Sequence, residues 1–313
     1  MSEKNKVAIV SDTHMADPDF PPSQKTRFMK FLDEFVKEEV KELILLGDIF
    51  ELSQCGMSDV YERCIDILLK FLEVANSGTL ITYIQGNHDF TFSDLRGFNI
   101  LPHPEIRIIL PRKIDLPVRE YVGRGGKGTR QVKSVSIETP AHFRTIQGRK
   151  VFLAHGHEFN HYFRGDPNSF STIIRAAGAL EKINPALDDR ILEMMENARK
   201  GLLNTYHNLL TPWKAGISES EREFTLAARD ICKYIATGDG KLRERNESEK
   251  IDYVFFGHTH IQEGPVILSE DVLEGSGKEY GRYFNTGTWV VKDRRADYTV
   301  ITEDGNVQNL QWR

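Results

Sequence analysis

Five short clusters in this sequence carry side chains able to bind a metal ion or move a proton. They are Ser11-Asp12-Thr13-His14, Gly47-Asp48, Gly86-Asn87-His88-Asp89, His155-Gly156-His157-Glu158 and Gly257-His258-Thr259-His260. Asp12 and His14 lie two residues apart, as do His258 and His260, so in extended chain each pair points to one side. The clusters together offer Asp12, His14, Asp48, Asn87, His88, His155, His258 and His260. That set mixes oxygen donors with imidazole nitrogen and contains no thiolate. Such donors suit Mn²⁺, Fe or Zn²⁺, and not a cysteine-rich structural zinc.

Each cluster needs an element to place it, and each follows a short apolar run: Val7 to Val10, Leu43 to Leu46, Leu80 to Ile84, Val151 to Ala154 and Tyr253 to Phe256. Continuous apolar runs of this length suit strands buried on both faces. Between the first two runs, Phe28, Phe31, Leu32, Phe35, Val36 and Val40 recur at helical spacing. That aromatic stripe is read as core and not as a cofactor box. A second helix is expected over residues 60–75, with Ile65, Leu68, Leu69 and Leu72 turned inward. Strands alternating with helices predict a layered α/β fold, and such sheets present ligand-binding residues at the carboxyl ends of their strands.

The remaining chain divides by pattern. Residues 106–109, 132–137 and 143–146 read as strands, and so do 282–285, 289–291, 298–302 and 307–312. Gly123, Gly125, Gly126 and Gly128, with Arg124, Lys127 and Arg130, match neither the Walker nor the dinucleotide fingerprint. A hairpin loop is expected there. Helical patterns over 169–180, 187–203 and 219–235 are broken at Asn184-Pro185 and Thr211-Pro212. Residues 159–250 are therefore expected to form an inserted helical cap or lid, with 1–158 and 251–313 as the core.

Composition narrows the function class. The net charge of −5 and the lack of a basic–aromatic stripe weigh against nucleic acid as a partner. No run approaches the roughly 20 apolar residues that span a bilayer, and Met1 to Lys6 lacks the apolar core of a signal peptide. Cys55, Cys64 and Cys232 show no metal spacing and are odd in number, which points to reduced thiols in a cytoplasmic protein.

Asp-x-His, Gly-Asp, Gly-Asn-His-Asp, a lone His and Gly-His-x-His, in this order from Val7 to His260, resemble the calcineurin-like metallophosphoesterases. The resemblance implies a four-layer α/β/β/α sandwich with two divalent metal ions at its strand ends. One would be held by Asp12, His14, Asp48 and His260, the other by Asp48, Asn87, His155 and His258, with Asp48 bridging. Mn²⁺ is the first expectation, with Fe, Zn²⁺ or Ni²⁺ as alternatives. A hydroxide bridging the ions would attack phosphorus. His88 would lie near the leaving group, and Asp89 would orient it or brace the loop. The cap would recognise a phosphorylated small-molecule or lipid-linked substrate.

Glu51 stands where many relatives carry a further Asp. Gly-Asp-x-x-Glu followed by Gly-Asn-x-Asp-Phe is similar to the UDP-diacylglucosamine pyrophosphatases of lipid A synthesis, which usually carry arginine at the position of His88. The competing classes are an Mn²⁺-dependent nuclease and a non-catalytic metal-binding scaffold. His157 either lines the site or supports a ligand; His103, His142, His161 and His207 fall outside the strand-end pattern.

Overall fold

In the computed structural model, residues 4–17, 20–52, 57–89, 103–109, 112–122, 129–157, 224–233, 250–271, 276–289 and 296–313 are described. The apolar runs become strands, and the amphipathic stretches between them become crossover helices. Strand β1 (Lys6–Val10) leads to helix α1 (Pro22–Phe31), which passes through a π-helical turn (Leu32–Val36) into a last α turn, α2 (Lys37–Glu39). Val40, expected on that helix, instead opens β2 (Val40–Leu46). Helix α3 (Met57–Asn76), β3 (Leu80–Ile84) and β4 (Ile106–Ile109) follow. β1, β2, β3 and β4 run parallel, and β12 (Asp297–Ile301) and β13 (Val307–Gln311) extend the sheet antiparallel, giving the order β13-β12-β1-β2-β3-β4.

A second sheet has the order β10-β11-β9-β8-β7, from β7 (His142–Ile146), β8 (Arg149–Leu153), β9 (Tyr253–Phe256), β10 (Gln262–Asp271) and β11 (Ser276–Thr286). Strands β5 (Arg112–Val122) and β6 (Thr129–Thr139) pair antiparallel, and among the described residues they form a separate two-stranded sheet. The glycine-rich stretch 123–128 between them lies outside the described residues.

Side-chain alternation explains why the strand runs are apolar throughout. Val7, Ile9, Ile44 and Leu46 point into a layer shared with Val151, Leu153, Tyr253 and Phe255 of the second sheet. Their neighbours Ala8, Val10, Leu43 and Leu45 point outward to α1 and α3. On the far side, Phe152, Val254 and Phe256 meet Phe224, Ala228 and Ile231 of a helix, α4, over residues 224–233. Successive strand residues face opposite sides, so both faces of both sheets are covered and the layers run α/β/β/α. Phe28 and Phe31 pack against Trp289 with ring centroids 5.0 and 5.2 Å apart, as core and not as a cofactor pocket.

Several expectations about individual elements change here. Helix α3 buries Val60, Cys64, Ile67, Leu68, Phe71, Val74 and Ala75, while Ile65 and Leu69 are 45% and 58% exposed. The inward face is rotated by about one residue from the expected one, because α3 carries two apolar stripes and packing selects one. Strand β10 was not expected, and Trp289 belongs to no strand. α4 falls within the stretch expected as a cap, yet its apolar face covers the second sheet; the rest of 159–249 lies outside the described residues. Among the described residues no helix is long and apolar enough to cross a membrane.

Candidate metal centre

β1, β2 and β3 are parallel neighbours in one sheet, and β8 and β9 are parallel neighbours in the other. Their carboxyl ends deliver the five clusters. The chain is strained where it does so. Asp12, His14, Asp48, His258 and His260 all have positive φ (52°, 46°, 53°, 68° and 60°), and among the described residues they are five of the seven non-glycine residues that do. Each such residue costs on the order of 1 kcal/mol and persists only where its surroundings fix it. Backbone bonds between clusters supply that fixing: Asp12 N to Gly47 O at 3.0 Å, His14 N to Asp48 O at 2.9 Å, and Gly257 N to His155 O at 3.0 Å.

The clusters also interlock through their glycines. A Cβ on Gly86 would lie 2.1 Å from Asp48 Oδ1, and one on Gly257 would lie 2.6 Å from Asp12 Oδ2. Each glycine leaves the space that another cluster's carboxylate occupies.

Among the described residues three groups of potential donors result; His14, Glu51 and His88 form one, and the other two hold the expected ligands. Ligand atoms of Asp12, His14 and His260 lie within 4.8 Å of one another, and so do those of Asp48, His155 and His258. The groups adjoin: His14 Nε2 is 3.9 Å from Asp48 Oδ2, and His155 Nε2 is 3.9 Å from Asp12 Oδ1. Asn87 is buried in the loop after β3, and the backbone N–H of the next residue, His88, donates to Asp48 Oδ1 at 2.8 Å. All the residues expected as ligands are thus gathered at one end of the sandwich.

The donor chemistry fits a divalent ion. His155 is fully buried, and its Nδ1 lies 2.9 Å from the carbonyl of Leu46, which can only accept. The Nδ1 proton is fixed there, which turns Nε2 toward Asp48 Oδ2 at 2.9 Å. A lone pair facing a carboxylate needs positive charge between them, and a proton or a metal ion can supply it. Burial pulls the His155 pKa down, but Asp48 and Asp12 outweigh it and push it up to about 10. Burial raises the Asp48 and Asp12 carboxyls, yet the surrounding imidazoles hold both below the usual range, Asp48 well below it. His258 goes the other way, pushed well below the usual imidazole range by burial and by His155. Ionised carboxylates beside a neutral imidazole are what a metal ion takes.

His88 is held by Glu51, whose Oε1 lies 2.9 Å from His88 Nδ1. The other oxygen, Oε2, lies 2.9 Å from His14 Nδ1. Burial lowers the His88 pKa, while Glu51 and Asp48 raise it to about 9. Asp89, expected to orient His88 or to brace the loop, takes the second place. It accepts from Ile49 N at 2.8 Å, from Tyr83 OH at 2.5 Å and from Gly86 N at 2.5 Å. Burial and Asp48 raise its carboxyl to about 6.

Residues beneath the site carry parts of it that motif spacing does not show. Ser11 Oγ bonds Asp12 Oδ2 and lies 2.6 Å from Thr286 Oγ1. Thr288 Oγ1 donates to Asp12 O at 3.0 Å, and Asn285 Nδ2 donates to Gly257 O at 2.8 Å. The only sequence signal was the punctuation Asn285-Thr286-Gly287-Thr288. His157 sits beside the second group, with its ring 5.6 Å from His155 and 6.2 Å from His258. His103 bonds Asn76 at 3.1 Å and His142 lies on β7, both apart from the site. Glu158, His161 and His207 lie outside the described residues.

No curated protein matches the chain. Among solved structures, a conserved uncharacterized protein, predicted phosphoesterase, from Streptococcus pneumoniae TIGR4 is 13% identical with a TM-score of 0.30. A dimetal phosphatase from Danio rerio is 10% identical with a TM-score of 0.41. In both cases the alignment covers 99% of each chain. The sequence profile of the calcineurin-like phosphoesterases matches residues 5–262. A match of that extent, taking in all five strand-end clusters, makes the chain a member of the calcineurin-like phosphoesterase family.

Proposed function

We propose that this chain is a dinuclear metal-dependent hydrolase of phosphoester or pyrophosphate bonds. The observation that carries the reading is the convergence of Asp12, His14 and His260 with Asp48, His155 and His258 at neighbouring strand ends. One ion would take Asp12, His14, Asp48 and His260, and the other Asp48, Asn87, His155 and His258. Mn²⁺ is the first ion to test, followed by Fe, Zn²⁺ and Ni²⁺. Two divalent ions sharing a carboxylate supply a nucleophilic water near neutral pH and neutralise charge on the phosphoryl oxygens.

The chain's own groups do the rest. Asp48, pinned by the His88 backbone N–H, sets the spacing of the two donor groups. The bond from His155 to Leu46 O keeps the donor nitrogen facing Asp48. Glu51 accepts at Nδ1 of His88, which leaves the other ring nitrogen to deliver a proton to the leaving oxygen. The raised pKa of His88 favours its protonated form. Residues 1–158 and 251–313 form the catalytic core in this reading. In this reading residues 159–250, expected as a helical cap, recognise the non-phosphate part of a small or lipid-linked substrate, and α4 within them packs on the second sheet.

An activity screen with Mn²⁺ tests the reading, using chromogenic phosphomonoesters and phosphodiesters, nucleotides and nucleotide sugars. Turnover of at least one phosphoester or pyrophosphate is expected. UDP-diacylglucosamine belongs in the panel because Gly47-Asp48-Ile49-Phe50-Glu51 matches the pattern of that pyrophosphatase subfamily. Two bound ions without turnover of any substrate would leave a metal-binding scaffold, and rapid cleavage of DNA would make the protein a nuclease. A cytoplasmic setting is part of the proposal, supported by Cys64 and Cys232, both buried as free thiols.

A further inference from the structure

We infer that Glu51 is a positioning residue shared by two tasks, one carboxylate that sets both His14 for metal binding and His88 for proton delivery. The inference rests on the proposed hydrolase reading and adds to it a coupling between the metal site and the leaving-group side. A carboxylate accepts only, so each histidine bonded to Glu51 must carry its proton on Nδ1. His14 Nδ1 is 2.9 Å from Oε2, while His88 Nδ1 is 2.9 Å from Oε1 and 2.8 Å from Oε2. Both rings are thereby turned by the same group. His14 presents Nε2 to the donor set, 3.2 Å from His260 Nε2 and 3.9 Å from Asp48 Oδ2. His88 is left with its own Nε2 for the substrate side.

The two rings also meet each other directly. Their centroids are 4.8 Å apart at an interplanar angle of 78°, an edge contact that fixes neither tautomer. Glu51 is 1% exposed, so water offers its carboxylate little competition. Its backbone is placed as firmly as its side chain. Glu51 N donates to Met15 O at 2.8 Å, and Leu52 N donates to His88 O at 2.8 Å, which ties residues 51–52 to both loops. Side-chain length matters as well. Aspartate would draw the carboxylate back by about 1.5 Å, too far to serve both rings from this backbone.

Partners that orient a ligating histidine typically affect metal affinity by about 10- to 100-fold when removed. A shared partner adds a second signature, because the proton-delivery step must weaken along with affinity. The test compares the parent with Glu51→Gln and Glu51→Asp. It reads the Mn²⁺ concentration for half-saturation, kcat at saturating Mn²⁺ on p-nitrophenyl and phenyl esters of the same phosphate, and the imidazole N–H resonances of chelator-treated protein. For Glu51→Gln, half-saturation should rise about tenfold or more. Its kcat should fall more on the phenyl ester, which needs the proton more. The downfield Nδ1–H signals of His14 and His88, assigned by His→Ala variants, should move together.

Reduced affinity with an unchanged leaving-group ratio, or a shift of only one of the two resonances, would overturn the shared clamp. Equal loss of kcat on both esters with unchanged affinity would overturn it too, and would make Glu51 a scaffold residue. Should Glu51→Gln fail to fold, Glu51→Asp carries the same test. It is expected to lose at least one of the two bonds, and full retention of both signatures would contradict the inference. If the parent binds Mn²⁺ but hydrolyses nothing, the hydrolase reading fails by itself. The affinity and resonance arms then still decide whether Glu51 holds both rings.

Discussion

Replacing Gly86 by alanine adds one methyl group, and its surroundings determine the outcome. The new Cβ would lie 2.1 Å from Asp48 Oδ1, 2.5 Å from its backbone nitrogen and 2.8 Å from its Cγ, where ordinary contact begins at 3.4 Å. Asp48 has nowhere to retreat. It is 1% exposed, its Oδ2 faces His155 Nε2 at 2.9 Å, and its carbonyl accepts from His14 N at 2.9 Å. Relief therefore needs a shift of roughly 1 Å in the residue proposed to be shared by the two ions, and a misplacement of that size can cost about 100-fold in rate. Overpacking of this kind costs about 1–3 kcal/mol in stability. Gly78→Ala is the matched control. Gly78 has φ +85° with nothing within 4 Å of a new Cβ, so it should lose only about 1–2 kcal/mol to left-handed strain. Thermal unfolding, bound Mn²⁺ and phosphodiester turnover are measured on both. Similar destabilisation is expected, with loss of metal and of about 100-fold in rate in Gly86→Ala alone. A folded Gly86→Ala protein with full metal content and a rate within about threefold of the parent would show that Asp48 tolerates the added methyl group.

Three further outcomes are expected. His88→Ala should keep its metals and lose turnover most on esters with poor leaving groups, read as kcat against leaving-group pKa; loss of metal would show that its role is different. Asp89→Asn should cost about 1–3 kcal/mol in denaturant unfolding, because an amide NH₂ must face one of the N–H groups of Ile49 or Gly86 that the carboxylate now accepts. Free Mn²⁺ at about 100 times its dissociation constant should add about 2.7 kcal/mol per independent site over chelator-treated protein, seen as a rise in Tm; an unchanged Tm would argue against binding to the folded chain.

What could be read from the sequence followed burial. The strands carrying the site are apolar on both faces because helices cover one side and the opposite sheet the other, so Val7 to Val10 and Tyr253 to Phe256 announce themselves as unbroken runs. The polar residues after them stand out for the same reason. Periodicity gave α3 but not its orientation, since Ile65 and Leu69 form a stripe as regular as that of Cys64 and Leu68. The supporting contacts were the least legible. Thr288 reaches Asp12 across 276 positions of sequence, and Ser11 reaches Thr286 across 275. Such pairings depend on how the two sheets meet, and local composition carries no trace of that. Glu51 was visible as a departure from a motif, while its two histidine partners required the fold.

Asp48 carries the proposed function, because it would be held in common by both ions. The most direct measurement is the metal content and phosphodiester turnover of parent and Asp48→Asn protein, each taken from one preparation equilibrated with Mn²⁺. Two ions per chain and turnover are expected in the parent, with ions and activity lost together in the variant. An Asp48→Asn protein that is folded, holds two ions and still hydrolyses the ester would contradict the proposed sharing of Asp48.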